Sequence, residues 1–270
     1  MSATRDRSAP IGVFDSGLGG LTVAHAIMRQ LPAESLIYFG DTARVPYGPK
    51  SPETVLRYSR EIAAWLLAQG VKAIVVACNT ATAHALPALR DELDVPVIGV
   101  VEPGARAAVR ASRSGHIGVI ATNGTIKSGA YVRAIHAEAP DAQVTALACP
   151  LFVPLVEEGW TDHEATRTIA REYLAPFMSD EVDTLVLGCT HYPLLKPLIA
   201  RIVGPDVRLI DSAEETATDT RRMLDENALA AENGDGRYRF VASDDQQQFL
   251  TLGQRFFGDT IEHVEIRTFG

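Results

Sequence analysis

The strongest constraint on how this chain folds is that its most apolar segments occur twice. Ile74-Val75-Val76-Ala77-Cys78-Asn79-Thr80 is a short apolar run that stops at a cysteine followed by two small hydrogen-bonding residues. Leu185-Val186-Leu187-Gly188-Cys189-Thr190-His191 repeats that form 111 positions later. Ile117-Gly118-Val119-Ile120-Ala121-Thr122 likewise repeats Ile11-Gly12-Val13-Phe14-Asp15-Ser16, at the near-equal offset of 106. Runs so short and so rich in Val, Ile and Leu read as buried parallel strands. Between the matched pairs, 144–148 answers 36–39 and 208–210 answers 97–99, which makes four strands per half with helices between. The expected fold is α/β, with two similar open-sheet domains related by an approximate two-fold pseudo-symmetry. Strand tops then face each other, and the site lies in the cleft between them, where open α/β sheets place ligands. The first domain takes residues 1–102 and 212–270 and is discontinuous; the second takes 103–211.

Local signals fill in this frame. Leu21, Ala24, Ile27, Met28 and Leu31 mark an amphipathic helix after Ser16-Gly17-Leu18-Gly19-Gly20. Ser51-Pro52-Glu53 supplies a cap residue and an N1 proline for a helix over 51–69. Helices are predicted over 82–91 and over 102–111, the latter completing the first unit, and a long one over 212–227. Asn233-Gly234-Asp235-Gly236 is a turn, 238–241 a strand, Phe249, Leu250, Leu252 and Phe256 a helix face, and 263–266 a strand. These last elements are expected to fold back onto the first unit.

Composition narrows the function classes. No apolar run approaches the roughly 18 residues of a membrane span, and the polar start Met1 to Pro10, with Arg5, Asp6 and Arg7, reads as a disordered arm rather than a secretory signal. A formal charge of −9 with scattered arginines gives no basic stripe, so nucleic acid is not an expected partner. Three cysteines cannot all pair within one chain, and a reducing cytoplasm fits them.

The two repeated cysteines carry the chemistry. Each precedes a predicted helix amino terminus, near Thr82 and near Pro193, a position that favours the thiolate. Two facing thiols can act as acid and base on opposite sides of one molecule, which is what inverting a stereocentre demands. Cys149 has no such frame and reads as a buried structural residue. Asp15 and Ser16 join the same edge. Gly17-Leu18-Gly19-Gly20-Leu21-Thr22 lacks the last glycine of a dinucleotide loop, and Asp15 would repel a phosphate but suits an ammonium group. Thr122, Asn123, Gly124 and Thr125 occupy the matching loop of the second unit and offer hydroxyls and amides to a carboxylate. None of the four lysines, Lys50, Lys72, Lys127 and Lys196, sits at a strand end beside a phosphate-type loop, so no pyridoxal cofactor is expected. Cys78, Cys189 and His191 could be zinc ligands, but the usual close cysteine pairing is missing, and no metal is expected.

With these residues placed, the sequence closely resembles the glutamate racemases, within the aspartate/glutamate racemase superfamily, over essentially all of 11–270. The motifs are Asp15-Ser16-Gly17-Leu18-Gly19-Gly20, Pro46-Tyr47-Gly48, Ala77-Cys78-Asn79-Thr80-Ala81-Thr82-Ala83 and Gly188-Cys189-Thr190-His191-Tyr192-Pro193-Leu194-Leu195. The resemblance implies a cofactor-independent enzyme that supplies D-glutamate for bacterial cell walls. Cys78 takes the α-proton of D-glutamate and Cys189 that of L-glutamate. Asp15 and Asp41 assist on the Cys78 side, His191 and Glu157 on the Cys189 side. Substrate contacts carry over to Asp15, Ser16, Tyr47, Gly48, Asn79, Thr80, Thr122, Thr125, Thr190 and His191. Aspartate racemases of the superfamily tend to carry glutamate where this chain has His191, which favours glutamate as substrate over aspartate. The expected partners are that substrate and a second copy of the chain in a homodimer. Some family members inhibit DNA gyrase, and nothing in this acidic sequence supports that role here.

Overall fold

The computed structural model describes residues 6–178, 181–232, 234–257 and 261–269. Among the described residues the strands are β1 (Ile11–Asp15), β2 (Leu36–Gly40), β3 (Ala73–Val76), β4 (Val97–Gly99), β5 (His116–Ala121), β6 (Gln143–Ala148), β7 (Thr184–Gly188), β8 (Arg208–Ile210), β9 (Tyr238–Ala242) and β10 (Glu265–Ile266). They form two sheets, ordered β10-β9-β2-β1-β3-β4 and β6-β5-β7-β8, with every adjacent pair parallel. The block β2-β1-β3-β4 has the same order as β6-β5-β7-β8, so the equivalences read from the two sequence offsets hold strand for strand.

Helices α1 (Leu21–Gln30), α2 (Pro52–Ala68), α3 (Asn79–Glu92), α4 (Val101–Ala111), α5 (Asn123–Ser128), α6 (Ala130–Glu138), α7 (Phe152–Glu157), α8 (Glu164–Leu174), α9 (Lys196–Val203), α10 (Ala213–Glu226) and α11 (Gln246–Phe257) cover the sheets. The two-residue alternation of each central strand divides its side chains between faces. Ile11, Val13 and Val75 pack with Ala217, Leu224 and Phe249 of α10 and α11; Phe14, Ile74 and Val76 pack with Ile62, Leu66 and Leu89 of α2 and α3. The second sheet is built the same way, with Ile120, Leu185 and Leu187 against α7 to α9, and Ile117, Val119 and Val186 against α4 and α6.

Several expectations change. The helix over 102–111 does not complete the first unit: Val101, Ala105 and Ala108 are buried against the second sheet. Its counterpart α10, which follows β8, returns to the first sheet. Each crossing follows an edge strand, β4 or β8, because the uncovered apolar face of the other sheet is where an amphipathic helix buries most. Helix α3 starts at Asn79 rather than Thr82, with Cys78 as its cap, and the segment near Pro193 is a short 3-10 turn over Tyr192–Leu195 before α9. Ser51 caps α2 as predicted, its hydroxyl accepting from the Thr54 amide at 3.3 Å. β9 pairs with β2 and β10 with β9, so the carboxyl-terminal strands extend the first sheet, although β10 is shorter than predicted. Of the arm expected to be disordered, residues 1–5 lie outside the described residues. Asp6 to Pro10 is ordered: Ser8 bonds the Asp6 carboxylate, and the buried Lys72 ammonium donates to the Arg7 carbonyl at 2.6 Å. Asn233, in the predicted turn, and the side chain of Phe256 also lie outside the described residues.

Candidate active site

Four strand ends meet. Asp15 closes β1, Cys78 follows β3, Thr122 follows β5 and Cys189 follows β7, so the carboxyl edges of the two sheets face each other. Hydrogen bonds join them directly. The Thr190 hydroxyl donates to Asp15 Oδ1 at 3.3 Å, Thr80 Oγ1 lies 2.9 Å from Thr122 Oγ1 and 3.2 Å from Thr125 Oγ1, and the Gly124 amide donates to the Gly48 carbonyl at 2.9 Å. Gly19 shows how close the approach is: a Cβ there would stand 2.4 Å from Thr190 Oγ1 and 2.7 Å from His191 Nδ1. Asp15, Ser16, Tyr47, Cys78, Asn79, Thr80, Thr122, Thr125, Cys189, Thr190 and His191 are each no more than 7 % exposed.

The two thiols have different company. Cys78 caps α3, its sulfur accepting from the Ala81 amide at 3.4 Å while the thiol points at Ser16 Oγ, 3.6 Å away. The helix amino terminus was expected to favour its thiolate, and here it does not prevail. Burial, then the nearby Asp15 charge, push the Cys78 thiol up to about 12, against the opposing pull of Ala81 and Ser16. Burial also raises the Asp15 carboxyl, opposed by His191 and by donors including the Gly17 amide, 2.9 Å from Oδ2. Cys189 Sγ lies 3.9 Å from His191 Nδ1, and His191 Nε2 lies 3.1 Å from Glu157 Oε1, at the last residue of α7. Burial alone would lower the His191 pKa, but its bonds to Cys189 and Glu157 outweigh that and carry it up to about 10. The geometry therefore favours the imidazolium form, and it does so beside one thiol only.

Asp41 is placed differently from the other acidic residues. Its carboxylate accepts from Arg44 Nε at 2.7 Å, from the Ser243 hydroxyl at 2.9 Å and, in a short bond, from the Tyr47 hydroxyl. Arg44 also bonds Glu61 and stacks 4.0 Å from the Tyr58 ring centroid. Asp41 thus holds the 44–48 loop, whose Gly48 carbonyl docks on the second unit. Arg44 and Ser243 were not singled out in the sequence, and no local pattern marks them. Cys149 is buried at the end of β6, its carbonyl accepting from the Tyr192 hydroxyl at 2.7 Å, and all three cysteines are free. Among the described residues, no group of three or more His, Cys, Asp and Glu side chains is arranged to hold a metal ion, and no helix is long and apolar enough to cross a membrane.

Two parallel sheets with matched order and a thiol at the end of one central strand in each define an α/β racemase architecture, and the comparisons agree. The chain belongs to the Asp/Glu/Hydantoin racemase family, whose model matches residues 11–220. It is 54% identical over 255 residues to a glutamate racemase of Geobacter metallireducens, covering 94% of each chain. Among solved structures it is similar to a glutamate racemase isoform from Bacillus anthracis, at 42% identity and TM-score 0.92 with 98% of each chain covered. A Francisella tularensis glutamate racemase in complex with D-glutamate matches at 40% identity and TM-score 0.90, covering 97% of this chain and 98% of that one. The chain is accordingly a racemase.

Proposed function

We propose that the chain interconverts L- and D-glutamate by two-base proton transfer between Cys189 and Cys78, without a cofactor, in the cytoplasm, and so supplies D-glutamate for peptidoglycan. The observation that carries this reading is the pairing of two buried thiols at equivalent strand ends, one beside the His191–Glu157 pair and the other beside Ser16 and near Asp15. In the proposed reaction Cys189 acts as the thiolate base, with the His191 imidazole 3.9 Å from its sulfur, and removes the α-proton of L-glutamate. Cys78 delivers its own proton to the opposite face, which yields D-glutamate with Cys78 as thiolate and Cys189 as thiol. The reverse reaction begins from that second state. Asp15 is suited to the substrate ammonium, and the Asn79 amide with the Thr80, Thr122, Thr125 and Thr190 hydroxyls to its carboxylates. Tyr47 and Gly48 close the wall from the Asp41-anchored loop. Support for glutamate as the substrate comes from the D-glutamate complex of the Francisella relative.

The same reading divides the chain into domains at 1–102 with 212–270 and at 103–211, which part at their two covalent joints to admit substrate. It also takes the working unit as a homodimer, which sedimentation at micromolar concentration tests. Proton handling is the decisive experiment. In heavy water, product should carry solvent deuterium at the α-carbon from the first turnover, while early-recovered substrate carries little. Cys78→Ala and Cys189→Ala should each lose racemisation in both directions by roughly 100- to 10,000-fold. Cys78→Ala should keep some α-proton exchange on L-glutamate, and Cys189→Ala some on D-glutamate. Near-wild-type racemisation by either variant would end the two-thiol mechanism.

A further inference from the structure

We infer that Tyr131, a residue of the second sheet's helix layer, is a positioning residue that orients the Asn79 amide so that its N–H group meets a substrate carboxylate. The inference rests on the proposed racemisation of a dicarboxylic amino acid in this cleft. Tyr131 and Ile135 lie one turn apart on α6 and are both buried. The Tyr131 ring packs on the end of the Cys189 strand so closely that a Cβ on Gly188 would stand 2.8 Å from its Cε2. Its hydroxyl reaches the other unit and donates to Asn79 Oδ1 at 2.7 Å. Asn79 is 3 % exposed, yet among the described residues its Nδ2 has no hydrogen-bond partner.

These facts determine which way the amide faces. A carboxamide can turn by 180°, exchanging its donor and its acceptor with little change of shape. Tyr131 has one hydrogen-bond partner among the described residues, and burial raises its pKa, so the phenol keeps its proton and needs an acceptor. Only Oδ1 can provide one. Turning the amide would strand the phenol proton and aim Oδ1 at the cleft. With Oδ1 taken, Nδ2 is left as a buried donor without a partner, which folded proteins seldom tolerate unless a ligand completes it. The residue adjoins Cys78 and shares a first helical turn with Thr80, so the group completing it belongs to the molecule held between the thiols. An anionic oxygen suits an N–H donor, and an amide oxygen facing it would repel it. Because Tyr131 and Asn79 belong to different units, the amide is set only when the units are together.

Steady-state kinetics on the full-length enzyme test this. Tyr131→Phe removes the hydroxyl and keeps the ring. KM for both enantiomers should rise by about tenfold with kcat changed little, since the interaction binds ground and transition states alike. Asn79→Ala should raise KM at least as much, and adding Tyr131→Phe to it should bring no further rise. A merely structural tyrosine would give additive effects, and additive effects overturn the proposal. Asn79→Asp keeps an acceptor for Tyr131 but replaces the donor with a negative oxygen, so its KM should exceed that of Asn79→Ala. An equal or lower KM overturns the proposal even if Tyr131→Phe fails to fold. If Asn79→Ala raises KM and Tyr131→Phe does not, Tyr131 does not set the amide and the proposal is overturned, although Asn79 remains a substrate contact. If Asn79→Ala leaves KM unchanged, the carboxylate contact at Asn79 falls and the proposal with it, while the cysteine variants still judge racemisation separately.

Discussion

Replacing Glu157 by glutamine probes the electrostatics of the Cys189 side with almost no change of shape. The His191 pKa is carried up to about 10 by its bonds to Cys189 and to Glu157 Oε1, 3.1 Å from Nε2, although burial acts the other way. A neutral amide at that distance keeps a hydrogen-bond acceptor and removes the charge. An opposite charge within about 4–6 Å shifts a pKa by about one to three pH units, equivalent to about 1.4–4 kcal/mol of preference for the imidazolium. The imidazolium of Glu157→Gln should therefore be lost at a pH lower by that amount. On the proposed mechanism Cys189 then works without a cation beside it, so kcat/KM for L-glutamate should begin to fall at correspondingly lower pH. Circular dichroism of initial rates from pH 6 to 10 reads this directly. Stability follows with a definite sign. A histidine whose folded pKa lies above its unfolded value stabilises the fold fully below about 6.5 and loses that contribution as pH rises towards about 10. The wild-type melting temperature should thus drop more between pH 7 and 10 than that of Glu157→Gln. Superimposable alkaline limbs for the two proteins would refute the reasoning, because the imidazolium would then owe nothing to Glu157.

Gly19→Ala should keep the fold of each unit but obstruct their approach, because the added Cβ would meet Thr190 and His191 at under 3 Å. Forcing such contacts costs about 1–3 kcal/mol, or roughly 5- to 150-fold in kcat/KM, whereas a smaller loss would indicate an easy local shift. On the proposed set of contacts aspartate, one methylene shorter, should not reach both walls, and each buried polar group left unpaired costs on the order of 1–3 kcal/mol. Comparable kcat/KM for aspartate and glutamate would contradict that. The lining residues are buried, so on the proposed domain division the units should part for substrate to enter. X-ray scattering should show a more compact particle with saturating D-glutamate than without it, and identical profiles would count against closure.

Much of the architecture was legible without coordinates, because it is written in short-range patterns. Apolar runs of four to six residues ending in Asp15, Cys78, Thr122 and Cys189 name the central strands and put these residues at one edge. The near-equal offsets between the runs imply two sheets of the same order. Chemistry within two or three residues of those ends could be listed in advance for the same reason. What tertiary structure decided lies in contacts between residues far apart in the chain. Thr190 meets Asp15 across 175 positions, Ser243 meets Asp41 across 202, and Tyr131 meets Asn79 across 52. No local periodicity encodes such pairings, so nothing in the sequence marks Tyr131 or Arg44. The protonation state of Cys78 was equally out of reach. A helix amino terminus favours the thiolate, but the depth of burial and the distance to Asp15, which together prevail, exist only once the two sheets are brought face to face.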